Sequence, residues 1–261
     1  MRSNRVCAAL VLVAMAVGAL VSGAVAAEKK KTVLIFSLTK GFRHGGAIEK
    51  GNPILKKIAA DLGYDCVVSE DPSVFDPEQV KKWDCIIFNN TTQELFTEPE
   101  RQKAFMDHIQ GGAGFIGLHA ATDSFYKWPE YGKMINGYFD GHPWNQEVRS
   151  RIEEPDHPLM KPFGGEPWTI KDEIYQFRNY DRKAVRVLMS LDVASVDVKK
   201  GKREDQDYGM CWIRMWGKGR VLYNAHGHDA NVFEDKKFQE HMKLAMKWAC
   251  GDLEADASPR P

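Results

Sequence analysis

The sequence lacks an excess of charge of either sign, and beyond its N-terminus it lacks long apolar runs. Its 36 Lys and Arg side chains balance 36 Asp and Glu side chains, whereas a nucleic-acid-binding protein is usually clearly basic. A multi-spanning membrane protein would carry further apolar runs. A hydrophobic content of 43% is too high for a disordered chain. The 261 residues therefore predict one large folded domain or two small ones, with no nucleic acid as partner.

Cysteine is also scarce, and its spacing does not indicate a metal site. The five cysteines include no Cys-x-x-Cys pair and no zinc-ribbon spacing. Cys66 and Cys85 lie in strand-like apolar segments, where a buried cysteine behaves as a small hydrophobic residue. We expect core positions for both. A Cys66–Cys85 disulfide stays open, because it requires neighbouring strands with suitable geometry.

The N-terminal apolar run has the pattern of a secretory signal peptide. Arg2 and Arg5 precede an apolar segment from Val6 to Val25, and Ala24 and Ala26 frame a small-residue cleavage pattern. An uncleaved anchor is the alternative, but the run is rich in Ala, Val and Gly rather than Leu, Ile and Phe. Cleavage would remove two arginines and no acid, leaving a net charge of −2. We predict a periplasmic or secreted protein with no membrane association after cleavage.

Between residues 32 and 120, short apolar segments alternate with segments of helical periodicity. The predicted strands are 32–36, 64–68, 84–89 and 114–120, and the predicted helices are 48–62, 77–82 and 97–109. Thr97 and Glu100 match a capping box for the last of these helices. Such alternation is typical of an α/β fold whose parallel sheet is covered by helices on both faces.

After about residue 140 the pattern becomes irregular. Further strands are predicted at 146–152, 174–177, 185–191, 208–216 and 220–224, before a closing helix at 238–248. No internal repeat or linker interrupts the chain. The predicted organisation is a signal peptide over residues 1–26, a single α/β domain over 27–251 and a flexible tail over 252–261.

Three histidines follow predicted strands. His44 comes after the first strand, His119 ends the fourth, and His228 comes after the last. Ligands of open parallel sheets bind outside the carboxyl ends of the strands, so we expect these side chains to converge. A neutral imidazole cluster could bind zinc or a similar divalent metal, whereas a single imidazole could transfer protons near neutral pH. The residues leave both chemistries open.

Residues 117–125 resemble a nucleophile elbow, in which a strand turns sharply into a helix and presents one side chain. The presented residue is His119 rather than serine or cysteine, which argues against acyl transfer. Asp123 could orient an imidazole or accept a hydrogen bond from a sugar hydroxyl. It could equally cap a helix N-terminus without any function.

The middle of the chain places aromatic rings beside carboxylates, a combination that suits a sugar ring. The C–H faces of a sugar pack on aromatic rings, and its hydroxyls form directional hydrogen bonds. We therefore predict a carbohydrate-sized pocket. The aromatic and acidic segments concerned include Trp128, the Tyr138–Trp144 segment with His142, and Asp172, Glu173 and Tyr175.

Several motifs together resemble the ThuA-like (trehalose utilisation) family over roughly residues 32–250. They are Gly41–His44, Gly114–Phe125, Phe139–Pro143, Asp156–Pro158, Asp172–Tyr175 and Gly219–His228. The resemblance implies a flavodoxin-like, class I glutamine amidotransferase-like three-layer sandwich with a mostly parallel sheet. It also implies a role in sugar utilisation. Because His119 stands where amidotransferases carry cysteine, glutamine amidotransferase activity is not expected.

The candidate site residues fall into three groups. The catalytic candidates are His119, Asp123, His44 and Glu173, the substrate-binding candidates are Arg43, Trp128, His142, Asp172 and Tyr175, and the metal candidates are His228 with His44 and His119. We predict an exported lyase, hydrolase or isomerase that acts on a disaccharide or 3-keto-sugar by acid–base chemistry, assisted by zinc or another divalent metal. The alternative is a non-catalytic protein that binds a small-molecule carbohydrate in the same pocket. The sequence does not indicate an oligomeric state.

Overall fold

A computed structural model describes residues 29–260 of the chain. The predicted signal peptide, residues 1–26, lies outside the described residues. In the described range, no helix combines the length and the apolar character that crossing a membrane requires.

The order of elements follows the predicted alternation and then the predicted irregular section. The strands are β1 (Thr32–Phe36), β2 (Asp65–Ser69), β3 (Cys85–Asn89), β4 (Gly114–Leu118), β5 (Tyr138–Phe139), β6 (Trp144–Ile152), β7 (Trp168–Ile174), β8 (Phe177–Arg178), β9 (Arg186–Leu191), β10 (Gly209–Trp216) and β11 (Gly219–Asn224). The helices are α1 (Gly45–Asp61), α2 (Pro99–Gly111), α3 (Pro129–Ile135), α4 (Ala230–Glu234) and α5 (Lys236–Ala249). Short 3₁₀ helices connect several of them.

Nine strands form one mixed sheet in the order β2-β1-β3-β4-β11-β10-β9-β6-β7. The five strands from β2 to β11 run parallel to one another. From β11 to β7 each neighbouring pair is antiparallel. β5 and β8 form a separate two-stranded sheet. The predicted α/β class, with parallel strands in its first half, is confirmed.

Helices cover both faces of the central strands, as the continuous apolar runs of β3 and β4 predict. Every residue of these two strands is buried, which a sheet achieves only when both of its faces are covered. On one face Phe88 and Phe115 pack against Phe105 of α2 and Tyr131 of α3. Helices α1, α4 and α5 contact one another in the other layer. The three-layer sandwich is therefore confirmed.

Three local predictions were wrong. Helix α2 begins at Pro99 rather than Thr97, and no side chain caps it, because proline without an N–H group suits the first turn. The predicted strand 174–177 is interrupted, since Gln176 pairs with the backbone of Gly141 and leaves the sheet. The predicted helix 77–82 is reduced to a 3₁₀ turn at Val80–Lys82.

The arrangement of the strands excludes a Cys66–Cys85 disulfide. Both residues lie opposite Val33, but β2 and β3 pair with opposite edges of β1. Two strand spacings put their Cα atoms about 9–10 Å apart, whereas a disulfide needs less than about 7 Å. Cys85 is buried in the core as expected, and Cys66 is half-buried on the edge strand.

The described part of the predicted tail, residues 252–260, contacts the domain at several points. Glu254 pairs with Arg220 at 3.1 Å, and Asp256 pairs with the buried Arg186. The side chain of Ala257 is buried. These contacts anchor the segment beside β9 and β11, and the flexibility of the tail stays a prediction.

Candidate metal centre

Four side chains from separate parts of the chain meet beyond the carboxyl ends of the parallel strands. His44 follows β1, His119 follows β4, His228 follows β11, and Glu173 is the penultimate residue of β7. One potential ligand atom from each lies within 4.8 Å of the others. We call these four residues the His-Glu cluster. The three histidines that the sequence places after strands are thus brought together.

Glu173 reaches the histidines because the antiparallel half of the sheet curves back. Three strands separate β7 from β11 in the sheet order. Nevertheless the Asp172 carboxylate on β7 accepts a 2.9 Å hydrogen bond from the Gly227 N–H group in the loop after β11. This contact brings Glu173, the next residue of β7, beside the loop that carries His228.

His119 occupies the sharp turn that the sequence predicts. Its φ angle is +44°, a left-handed conformation that is costly for a residue with a Cβ atom. Its Nδ1 atom lies 2.8 Å from the carbonyl oxygen of Ala225. Because a carbonyl only accepts, Nδ1 must carry the hydrogen, and in the neutral ring Nε2 keeps its lone pair. The ring also packs on Tyr175, with 4.0 Å between the ring centroids.

The cluster contains buried ring nitrogens without hydrogen-bond partners. Nδ1 of His44 and Nε2 of His119 have none, and Nδ1 of His228 faces only the Glu173 carboxylate, 3.2 Å from its Oε1. The ring centroids are 5.0 to 5.2 Å apart. Leaving such atoms unpaired costs free energy, and three imidazoles with one carboxylate form a ligand set that zinc and similar divalent cations accept. The residues present therefore fit a metal ion.

The electrostatics of the cluster favour the ligand forms of these groups. Burial, reinforced by His119 and His228, lowers the pKa of His44 to about 3, so His44 is neutral at pH 7. Burial alone would raise the pKa of Glu173, but its interactions with the neighbouring His119 and His228 outweigh burial and hold this pKa well below its usual range. Metal ligands must be deprotonated, and both of these groups meet that condition.

His228 differs from His44 in its response to the same carboxylate. Burial lowers its pKa, yet the Glu173 carboxylate, with Oε1 only 3.2 Å from Nδ1 of His228, outweighs burial and raises the pKa. Without a metal, His228 therefore holds a proton more tightly than a free histidine does, whereas His44 holds one less tightly. A bound cation would take the place of the proton on His228.

Two exposed rings flank the cluster. Phe42 is 67% exposed and packs edge-on against His44, with 4.8 Å between the ring centroids. His142 has a side chain that is 54% exposed, and its Nδ1 lies 3.4 Å from Oε2 of Glu173. We call Phe42 and His142 the rim. The rim is where a ligand from solvent would first contact the cluster.

Asp123 lies near the cluster without bonding to an imidazole. Its carboxylate accepts hydrogen bonds from the Tyr126 hydroxyl and from Gln93 at 3.4 Å. Burial raises the pKa of Asp123, although Tyr126 and His119 oppose the shift. Asp123 is the last residue of the 3₁₀ helix His119–Asp123, so the alternative of an N-terminal cap was wrong.

Three of the expected substrate-binding residues point elsewhere. Arg43 forms a 2.7 Å ion pair with Glu70. Trp128 packs edge-on against Phe125 in the aromatic core between the sheet and α2 and α3, with 5.1 Å between the ring centroids. The carboxylate of Asp172 is fully buried beneath the loop after β11. Trp128 and Asp172 are buried and so do not face a ligand from solvent, whereas Arg43 is partly exposed and its role in substrate binding stays a prediction.

Sequence reasoning also missed two buried partners of the site, Ser150 on β6 and His226 after β11. The Nε2 atom of His226 lies 2.8 Å from the Ser150 hydroxyl. The His226-Gly227-His228 spacing was the available signal for His226. The pairing with Ser150 depends on strands that are distant in sequence, so no local pattern indicates it.

The chain was compared with solved structures and with known protein families. A ThuA-like protein from Bacteroides uniformis is 24% identical, with a TM-score of 0.72 over 87% of this chain and 94% of that chain. One from Parabacteroides merdae is 16% identical, with a TM-score of 0.65 over 86% and 91%. A β-galactosidase from Bacillus circulans is 11% identical, with a TM-score of 0.53 over 84% of this chain and 31% of that chain. At these identities the likenesses show a shared fold.

No protein with a curated description matches the sequence of this chain. The ThuA family, described as trehalose utilisation, matches residues 32–249. That match includes every member of the His-Glu cluster and far exceeds half of the chain. The chain therefore belongs to the ThuA family.

Proposed function

We propose that this protein is an exported enzyme that processes a disaccharide or 3-keto-sugar at a divalent metal held by the His-Glu cluster. The observation that carries the proposal is the set of buried, unpartnered ring nitrogens beside an ionised Glu173. The family description, trehalose utilisation, supports a carbohydrate as the substrate. The signal-like sequence of residues 1–26 supports export.

The chemistry divides between the metal and the protein. A bound divalent cation supplies Lewis acidity toward a sugar oxygen. His44 and Glu173 are in the forms that hold such a cation, and the hydrogen bond to the Ala225 carbonyl fixes the orientation of the His119 ring. Phe42 offers an exposed aromatic face on which the C–H groups of a sugar can pack.

Asp123 is the chain's candidate for proton transfer. Burial raises its pKa above the usual range of a carboxyl group, and raising the pKa of a carboxyl group is one way in which enzymes prepare a general acid or base. Its hydrogen bond with Tyr126 orients the carboxylate. We propose that Asp123 accepts a proton from, or donates a proton to, a sugar oxygen or carbon held at the cluster.

The test combines metal analysis with product analysis. The protein would be loaded with zinc, freed of excess metal, and incubated with disaccharides and their 3-keto derivatives before mass spectrometry. We expect one equivalent of zinc and a new product in the wild type, and neither in His119→Asn, because asparagine tolerates the positive φ angle but lacks the imidazole. His108→Ala is the matched control. His108 lies in α2, away from the cluster, and its ring hydrogen-bonds to the backbone carbonyl of Trp83.

Each outcome has a defined meaning. Loss of zinc and of product in His119→Asn but not in His108→Ala supports the proposal. Saturable sugar binding without product after long incubation would show the non-catalytic alternative instead. Equal zinc content in the wild type and His119→Asn would overturn the metal centre.

A further inference from the structure

Asp172 is a buried carboxylate that the chemistry above does not use. It has no exposed surface, and no Lys or Arg among the described residues forms an ion pair with it. Instead it accepts three backbone N–H groups in succession, from Gly227 at 2.9 Å, His228 at 3.1 Å and Asp229 at 3.2 Å. These contacts hold down the loop that carries His228.

A second contact, which is not aligned as a hydrogen bond, places the carboxylate beside the neighbouring histidine. Nδ1 of His226 lies 3.3 Å from Oδ2 of Asp172, and Nε2 of His226 lies 2.8 Å from the Ser150 hydroxyl. The chain of contacts has the composition of a Ser-His-Asp triad. All three residues are buried, so the Ser150 hydroxyl cannot meet a substrate, and a nucleophilic role is excluded on access alone.

We propose that Asp172, His226 and Ser150 form a loop clamp that sets the geometry of the metal centre. Two adjacent residues near the end of β7 then have different roles. Adjacent strand residues point to opposite sides, so Glu173 enters the cluster while Asp172 enters the loop. The clamp fixes the backbone of residues 227–229, and the backbone of His228 directs its ring toward Glu173. This inference rests on the proposed metal function.

The conformation and hydrogen bonds of the loop backbone indicate that the loop is held in one conformation. Gly227 has a φ angle of +120°, which side chains rarely allow, and its carbonyl accepts a 3.0 Å hydrogen bond from the Asn90 amide. The side-chain oxygen of Asn224 accepts a 3.0 Å hydrogen bond from the backbone N–H group of His226. Because these bonds hold the loop on the N-terminal side of His228, while Asp172 itself holds His228 and Asp229, a change at Asp172 should move His228.

These residues are positioning residues, so the test uses a readout that stability alone would not change. Zinc affinity would be measured by competition with a chromophoric chelator, and coordination geometry by the visible absorption of the cobalt-loaded protein. The variants are Asp172→Asn, which leaves one acceptor oxygen for three N–H groups, and Ser150→Ala, which removes the far end of the clamp. Gly114→Ala is the control, because it crowds Ala249 at the opposite end of β4.

We expect Asp172→Asn to bind zinc at least about 10-fold more weakly and to show an altered cobalt spectrum, since residues that orient metal ligands typically contribute 10- to 100-fold in affinity. Ser150→Ala should change both readouts in the same direction by a smaller amount. Gly114→Ala should lower the melting temperature and leave both readouts at their wild-type values.

Wild-type affinity and spectrum in Asp172→Asn would overturn the clamp while leaving the metal centre intact. If Asp172→Asn does not fold, Ser150→Ala and His226→Gln decide, and unchanged readouts in both would overturn the clamp. A wild-type protein that binds neither zinc nor cobalt would overturn the proposed metal function, and the clamp with it.

Discussion

His241 should make the stability of the protein depend on pH in a window set by its burial. The ring is fully buried in α5, where Nδ1 lies 3.0 Å from the Leu159 carbonyl and Nε2 lies 3.8 Å from Sγ of Cys211. Burial lowers the pKa of His241 from 6.5 to about 4. As the pH falls below 6.5, His241 becomes protonated in the unfolded chain but stays neutral in the folded protein until the pH approaches about 4. Stability is therefore present near neutrality and is lost as the pH falls toward about 4.

The size of this loss follows from the gap between the two pKa values. At about 1.4 kcal/mol per pH unit, a gap from 6.5 to about 4 corresponds to about 3 kcal/mol of unfolding free energy. His44 acts in the same direction, because burial lowers its pKa to about 3. The variant His241→Asn separates the two, since its amide can still donate to the Leu159 carbonyl but cannot titrate.

The assay is urea unfolding followed by tryptophan fluorescence, in the presence of a metal chelator, at several pH values between about 7 and about 4.5. Between these limits the unfolding free energy of the wild type should fall by about 2 kcal/mol more than that of His241→Asn. The absolute stability of the variant is not the readout, because the substitution also removes packing. Parallel pH profiles for the two proteins would refute the reasoning.

Two further substitutions test the packing and the rim. Gly114→Ala should destabilise the protein by about 1–3 kcal/mol, because the new Cβ would lie 2.5 Å from the Ala249 carbonyl oxygen; a melting temperature equal to that of the wild type would contradict this. Phe42→Ala should weaken sugar binding by about 2- to 10-fold, as expected for one exposed aromatic contact, and should leave zinc content unchanged. Calorimetric titration with the sugar checks this, and an unaltered affinity would remove Phe42 from the ligand surface.

The first half of the fold was predictable because its signals are local. Each parallel strand is a short apolar run, and Gly63 and Gly112 mark helix ends with positive φ angles. The antiparallel half was harder, since its strand order depends on pairings across long sequence separations. Nothing near Glu173 in the sequence indicates that β7, at the far edge of the sheet, returns to the loop after β11.

The histidine positions were predictable from topology, whereas the roles of the acidic and aromatic residues were not. The rule that ligands gather at the carboxyl ends of parallel strands brought His44, His119 and His228 together. Alternation along β7 could have told us that only one of Asp172 and Glu173 faces the cluster. Trp128 is buried in the aromatic core, and the sequence could not show this because a core aromatic and a sugar-stacking aromatic look alike in sequence.

Strained backbone angles and buried ring nitrogens without hydrogen-bond partners occur at the same edge of the sheet. Both features are unfavourable in free energy, and together they argue for a bound ligand. Asn90, Gln93, His119 and Phe125, at or just beyond the ends of β3 and β4, all have positive φ angles, and such conformations cost about 1–3 kcal/mol each. The unpartnered ring nitrogens of the cluster add a further cost beside them. A cation bound at the cluster would satisfy the nitrogens, and His119, which carries one of them, is itself held at a positive φ angle.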